Sequence, residues 1–367
     1  LCKNGVFFDR CFTPAYGTAR GVWATITGIP DVESPKTASR NPNAVDQNTI
    51  INSFAGYENF YFLGGSAGWA NIRGVLTNNI NNLKLFEEND YAAKKIDVWG
   101  ISDKNLFLES NRVLKQQTKP FFAVIQTADN HRPYSIPAED KNEFKLLTYS
   151  ADSLKRFGFE SNEEMNAFRY TDFSYQKFME AAKKEPYFKN TIFVFVGDHG
   201  IRYNGSLEYF PKSWTEQGLT CEHVPLLFYA PALLKPQRVH NVCSQIDILP
   251  SIASLAKIPY MNNSLGRNLF DTVAYAQVLG HDEIIPRLPK YTAFVIDHDL
   301  HTIGIVNNQY YYLKNLKTGK DDLVSSIGNN PVKESAETDS VKNYLQQLTD
   351  AYYETSKYLL LNNKKRK

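Results

Sequence analysis

The stretch Asn190-Thr191-Ile192-Phe193-Val194-Phe195-Val196-Gly197-Asp198-His199-Gly200 decides the fold class. Its apolar part, Ile192 to Val196, is short, rich in β-branched and aromatic side chains, and stops on a glycine, the pattern of a buried strand. Two earlier runs have the same form: Phe60 to Leu63 stops at Gly64-Gly65, and Phe121 to Gln126 stops at Thr127-Ala128-Asp129-Asn130-His131. Between the second and third runs, Tyr170, Phe173, Phe178 and Ala181 recur at helical spacing, and the pattern ends by Pro186. Downstream, Val224 to Tyr229 reads as another strand. Asp247 then caps a helix carrying Ile248, Leu249, Ile252 and Leu255, with Pro250 tolerated in its first turn. This alternation predicts an α/β fold with a mostly parallel central sheet flanked by helices.

The last quarter has a different rhythm. Tyr291 to Ile296, Thr302 to Val306 and Gln309 to Leu316 predict strands, with Asn307-Asn308 turning the second into the third as an antiparallel pair. A final helix presents Val341, Tyr344, Leu345, Leu348 and Tyr352 on one face and precedes a solvated basic tail, Lys364-Lys365-Arg366-Lys367. The expected organisation is a large domain over 1–285 and a small antiparallel and helical part over 286–367.

Composition narrows the function. Of 367 residues, 43% are apolar and 22% charged, so the chain can bury a sizeable core and is not a disordered polymer. A net charge of +2 supplies no global footprint for nucleic acid. No apolar run approaches the roughly 20 residues of a membrane-spanning helix. The sequence opens at Leu1 without an initiator Met or a signal segment and is expected to belong to a longer product. Cys2, Cys11, Cys221 and Cys243 are too few for a disulfide scaffold and lack zinc-site spacing, and they leave the redox compartment open.

In open α/β sheets ligands bind beyond the carboxyl ends of the strands. Asp198 and His199 stand at one such end, and an oxygen beside an imidazole suits a transition-metal ion. A capping aspartate and a hydrogen-bonded histidine would look the same. His131, between Asn130 and Pro133, is placed to hold an anionic oxygen or simply to pack beside Tyr134. Trp69, Asn71 and Arg73 follow Gly64-Gly65 and offer a stacking ring, an amide and a guanidinium, a set suited to a phosphate and its organic group, although Trp69 would equally suit the core. Thr18, between Gly17 and Gly21, is either a hydroxyl activated at a helix N-terminus or an ordinary N-cap. His223, just before a strand, has no distinguishing context of its own.

Together these motifs are recognisable. Gly17-Thr18-Ala19-Arg20-Gly21-Val22-Trp23-Ala24-Thr25-Ile26-Thr27-Gly28-Ile29-Pro30 resembles the nucleophile segment of the lipoteichoic acid synthase and phosphoglycerol transferase group, within the alkaline phosphatase/sulfatase superfamily. The resemblance continues in order through Phe62 to Arg73, Trp99-Gly100-Ile101-Ser102-Asp103, Asn130 to Tyr134, Asn190 to Gly200, His223-Val224-Pro225, Ser244 to Pro250 and Gly266 to Phe270. It implies an alkaline phosphatase-like fold in which Thr18 is the nucleophile. Thr18, Asp198 and His199 would bind one divalent cation, manganese first, with zinc, magnesium or calcium as alternatives. Arg73 and His131 match residues that hold the substrate phosphate or glycerol, and Trp69, Asn71 and His223 are looser matches near the pocket. The implied reaction moves phosphoglycerol from phosphatidylglycerol, through a phospho-threonine, to a glycan or polyglycerolphosphate acceptor.

The resemblance also implies an acidic fourth ligand on a first strand upstream of Leu1. Membrane attachment through an upstream segment would place the domain on the outer, periplasmic or extracellular, side of the cytoplasmic membrane. A phosphoethanolamine transferase, or a hydrolase of phosphodiesters or sulfuric esters, shares most of these motifs. A formylglycine sulfatase is disfavoured, because Cys11-Phe12-Thr13-Pro14-Ala15 has its proline one place late and no arginine. The non-enzymatic alternative is a surface binding module that kept the fold and lost its metal.

Overall fold

The computed structural model describes residues 1–202, 209–270 and 291–365. In chain order the strands are β1 (Val6–Phe12), β2 (Glu58–Leu63), β3 (Leu83–Phe86), β4 (Phe121–Gln126), β5 (Phe193–Val196), β6 (His223–Tyr229), β7 (Gln237–Val239), β8 (Cys243–Ser244), β9 (Thr292–Asp297), β10 (Thr302–Asn307), β11 (Tyr310–Asn315) and β12 (Asp321–Ser325). The longer helices are α1 (Thr18–Thr27), α2 (Ile72–Asn79), α3 (Asp103–Leu114), α4 (Asn162–Ala182), α5 (Ile248–Leu255) and α6 (Ala336–Asn362). Two compact units emerge, one of residues 1–53 with 192–367, the other of residues 54–191. The expected boundary between 285 and 286 lies outside the described residues.

The first unit is built on a five-stranded sheet ordered β5-β6-β1-β7, with β8 also pairing β1. β6 runs antiparallel to β1 and to β5, whereas β7 and β8 run parallel to β1, so this sheet is mixed. A continuous apolar run such as Val224 to Tyr229 reports burial on both faces and says nothing about strand direction. β1 itself escapes a search for apolar runs because Asp9 and Arg10 interrupt it. Both charges are accounted for: Asp9 pairs Arg238 at 2.7 Å, and Arg10 donates to the carbonyls of Asn307 and Asn308 and to Ser326. Val6, Phe8, Cys11, Val224, Leu226, Phe228, Cys243 and Ile248 form the core on this sheet. All four cysteines are free thiols, and three of them are buried.

The antiparallel sheet expected near the C-terminus is present, with four strands ordered β12-β11-β10-β9. α6 packs on β10 and β11, and Phe294 stacks on Tyr352 at 5.8 Å. The expected apolar face of α6 is the buried one, supplemented by Thr349 and Ser356, whose hydroxyls donate back to the carbonyls of Leu345 and Tyr352.

The second unit carries a fully parallel sheet, β3-β2-β4, with an aromatic core. Phe60 and Phe62 are buried there with Ile101, Leu106 and Leu114, and Phe86 and Phe121 pack against them. α3 starts cleanly because the Ser102 hydroxyl accepts the Asn105 N–H at its N-cap. Among the described residues no helix is long and apolar enough to cross a membrane.

Candidate active site

α1 opens directly on Thr18, with Gly17 in the N-cap position and no side chain capping the helix. The Thr18 hydroxyl is therefore not an N-cap. Its Oγ1 stands 3.3 Å from His199 Nε2. Gly21, one turn on and on the same face, makes this approach possible: a Cβ there would meet the Asp198 carbonyl oxygen at 2.2 Å. Arg20 in the same turn faces elsewhere, into a buried pair with Asp31 at 3.1 Å, and donates to the Glu33 carbonyl at 2.9 Å.

Asp198 and His199 leave the end of β5 side by side. Asp198 Oδ1 accepts the His199 N–H at 3.0 Å, and its other oxygen, Oδ2, lies 3.7 Å from His199 Nε2. His199 Nδ1 is 2.6 Å from the Gly200 carbonyl, which can only accept, so Nδ1 carries the proton. In the neutral ring Nε2 is then a lone pair directed at the space shared with Thr18 Oγ1 and Asp198 Oδ2. The Tyr16 ring stands edge-on to His199, with centroids 4.7 Å apart. Gly200 serves here by close approach and not by an unusual turn. Its N–H donates to the Cys221 carbonyl at 2.7 Å, and a Cβ would meet the Thr220 carbonyl oxygen at 2.0 Å.

The donor set fits a divalent cation. Two ligands each ~2.1 Å from one ion at a tetrahedral angle lie about 3.4 Å apart, and the two separations here are 3.3 and 3.7 Å. An imidazole whose far nitrogen donates to a backbone carbonyl is oriented as a ligand. Among the described residues no group of three or more His, Cys, Asp or Glu gathers elsewhere or here, so this set depends on the threonine oxygen as its third member.

His223 is committed differently. Its Nε2 donates to the Asp9 carbonyl at 2.8 Å, its ring packs against Phe12 and Trp214, and burial lowers its pKa. The ring is a neutral anchor between β6 and β1.

In the second unit, Arg73 lies near the start of α2 and makes a forked pair with Glu87, Nε to Oε1 at 3.0 Å and Nη2 to Oε2 at 2.6 Å. Glu87 Oε2 also accepts the Ala67 N–H at 2.8 Å, and the arginine holds the carboxyl below its ordinary pKa. Trp69 is half-buried in a single 3-10 turn ending at Asn71. Ala70 and Asn71 both have left-handed backbones, φ 48° and 59°, which a non-glycine residue such as Ala70 adopts only when its surroundings enforce it.

His131 follows β4 and stacks on Trp99 with centroids 4.3 Å apart, while Trp99 Nε1 donates to the Arg132 carbonyl at 2.7 Å. Two buried carboxyls hold the loop before it. Asp103 Oδ1 accepts the Ala128 N–H at 2.8 Å, Asp129 Oδ2 accepts the Asp103 N–H at 2.7 Å, and Thr171 donates to Asn130 Oδ1 at 2.8 Å. Burial raises both carboxyl pKa values, and the charge of Asp103 raises that of Asp129 further. Asp103 receives the more numerous hydrogen bonds favouring its ionised form, so of the two Asp129 is the one that keeps its proton to higher pH. Sequence reasoning names His131 and Arg73 but not Trp99, Glu87, Asp103 or Asp129 as their supports. The first, third and fourth lie in quoted motifs; nothing in the sequence links Glu87 to Arg73.

A family model described as Sulfatase matches residues 1–258. Lipoteichoic acid synthase 1 of Bacillus subtilis is 27% identical over 316 residues, 82% of this chain and 46% of its own length. The lipoteichoic acid synthase-like YvgJ of the same organism is 27% identical over 167 residues, 43% of this chain and 25% of its own. The chain thus spans half or less of the length of these curated relatives. The crystal structure of the lipoteichoic acid synthase LtaP from Listeria monocytogenes superposes with a TM-score of 0.76 at 15% identity, covering 100% of this chain and 86% of that one. The crystal structure of a protein in the alkaline phosphatase superfamily from Vibrio parahaemolyticus superposes with a TM-score of 0.73 at 22% identity, covering 97% of this chain and 80% of that one, and the two likenesses establish the alkaline phosphatase-like fold.

Proposed function

Since the chain belongs to the sulfatase family, we propose that it is a divalent-cation-dependent phosphoglycerol transferase that works through a covalent phospho-threonine at Thr18. The observation that carries this reading is the convergence of Thr18 Oγ1, His199 Nε2 and Asp198 Oδ2 on one space. A binding module has no need of an uncapped helix-terminal hydroxyl facing a ligand-oriented imidazole. The likeness to lipoteichoic acid synthases directs the choice of donor.

Thr18, Asp198 and His199 would hold the cation, manganese by the family resemblance, and when bound it supplies Lewis-acid charge that favours an ionised threonine oxygen. The chain's own contribution is placement. α1 directs its N-terminal dipole at Thr18 Oγ1, which also favours the oxyanion. Thr18 Oγ1 attacks phosphorus of phosphatidylglycerol as the bond from phosphorus to the diacylglycerol oxygen breaks; the threonine proton ends on that oxygen, and diacylglycerol leaves. Arg73 and His131 are assigned to the substrate phosphate or glycerol, and Trp69 and Asn71 to its surroundings. An acceptor hydroxyl on a glycan or polyglycerolphosphate then takes the phosphoglycerol and frees Thr18. Such a reaction places the domain on the outer side of the cytoplasmic membrane, where lipid and acceptor meet.

Release of diacylglycerol from fluorescent phosphatidylglycerol in the presence of manganese tests the proposal. Release by the wild type and none by Thr18→Ala is the expected result. Equal release by the two proteins, or turnover confined to phosphatidylethanolamine or an aryl sulfate, overturns it.

A further inference from the structure

Two motifs, Ser244 to Pro250 and Gly266 to Phe270, take no part in the site described so far, yet they form one buried hydrogen-bonded unit. Ser244 and Asp247 make a reciprocal capping box over the turn Gln245–Asp247. Asp247 takes the N-cap position of α5 as the sequence suggests, but its side chain makes no capping hydrogen bond to that helix. Its Oδ1 accepts the Arg267 N–H at 2.7 Å and its Oδ2 accepts Arg267 Nη2 at 3.0 Å, and Arg267 also donates to the Thr292 carbonyl at 2.8 Å. Ser251 donates to the Asp247 carbonyl at 2.6 Å and accepts the Leu269 N–H at 2.9 Å.

Within this unit the amide side chain of Gln245 is fully buried, at 0% exposure. Gln245 Nε2 donates to the Gly197 carbonyl at 3.0 Å and to the Asp198 carbonyl at 3.2 Å, and Oε1 accepts the Thr13 hydroxyl at 3.0 Å. The two carbonyls flank the Asp198 φ and ψ bonds. Holding both fixes the backbone of Asp198, the direction of its carboxylate and the departure of His199. The third bond ties the same amide to the segment that leads from β1 to Thr18.

We infer that Gln245 is the positioning residue of this site, a buried amide that sets the nucleophile segment and the Asp198-His199 pair in register with each other. The inference rests on reading Thr18, Asp198 and His199 as cation ligands. It predicts that losing the amide lowers cation affinity about 10–100-fold, the usual consequence of removing a group that orients ligands, without unfolding the chain.

Calorimetric titration with manganese chloride, with Tm and amide hydrogen exchange of the segment 194–200, tests it on wild type, Gln245→Met, Thr13→Val and Thr13→Ser. Gln245→Met is expected to keep a cooperative melt, lose about 10–100-fold in affinity and exchange faster over 194–200. Thr13→Val follows in the same direction by a smaller factor, and Thr13→Ser, which retains the hydroxyl, restores wild-type affinity. Wild-type affinity in folded Gln245→Met overturns the inference and leaves the cation reading intact. A wild type that binds no manganese overturns that reading, and the inference falls with it. Should Gln245→Met fail to fold, the Thr13 pair decides: equal affinity of the Val and Ser variants overturns the inference.

Discussion

The Thr18 region and the Arg73–His131 region are held by opposite means. In the first, backbone packing brings polar groups together: α1 touches the Asp198 carbonyl through Gly21, and Gln245 clasps the peptide on either side of Asp198. The side chains that result face one another with bonding capacity to spare. In the second, side chains are already engaged: Arg73 is forked onto Glu87, and His131 lies flat on Trp99. A ligand reaching Thr18 completes an arrangement, whereas a phosphate reaching Arg73 must compete with a carboxylate. The first region should therefore respond to substitution in an all-or-none way, and the second in a graded one.

The largest expected effect is at Thr18. Thr18→Ala should lower turnover at least about a thousandfold, as loss of a covalent nucleophile does, with Tm little changed; a smaller loss in single-turnover assays would reassign the nucleophile. His199→Ala should abolish manganese binding measured by calorimetry, and retained affinity would separate the histidine from the cation.

Intermediate effects probe the second region. Arg73→Ala should cost about a hundredfold in kcat/KM, the scale for one preorganised donor to phosphoryl charge. Glu87→Gln should act in the opposite sense, lowering KM by freeing the guanidinium. If Glu87→Gln instead lowers kcat/KM as Arg73→Ala does, the carboxylate positions the arginine and does not compete for it.

The smallest effect concerns pH. Asp103 and Asp129 have raised pKa values in the folded second unit, so the native state there holds more protons than the unfolded chain. Stability from this pair is full below the ordinary carboxyl value of about 4 and is lost as pH rises through the raised values, at no more than about 1.4 kcal/mol per pH unit for one proton. Asp129→Asn keeps the neutral partner at all pH values and should flatten that decline in thermal melts followed from acid to alkaline pH. An unchanged slope would show that Asp129 is not the source of the extra native-state proton.

Much of this was legible in the sequence because apolar runs of burial length ended in glycine or polar clusters. β2, β4, β5 and β6, helix α4 and the face of α6 all follow from such patterns. What escaped was tertiary in origin. β1 carries Asp9 and Arg10, whose partners Arg238 and Asn308 lie more than two hundred residues away. β12 and β7 are short and polar, and their pairing partners define them. For the site, residue chemistry pointed to Asp198 and His199 as a pair. Only the family motif joined Thr18 to them, since 181 positions separate Thr18 from His199. The role of Gln245 was invisible, because it acts on the carbonyls of Gly197 and Asp198 and any buried glutamine looks alike in a sequence.

Thr18 Oγ1 is proposed to become covalently phosphorylated by a glycerophospholipid. Mass spectrometry of the Thr18 peptide after incubating the protein with manganese and phosphatidylglycerol, without an acceptor, tests it most directly. The predicted result is one glycerophosphoryl group on Thr18 that disappears when an acceptor alcohol is added. Release of diacylglycerol with an unmodified Thr18, or an adduct on another residue, would contradict it.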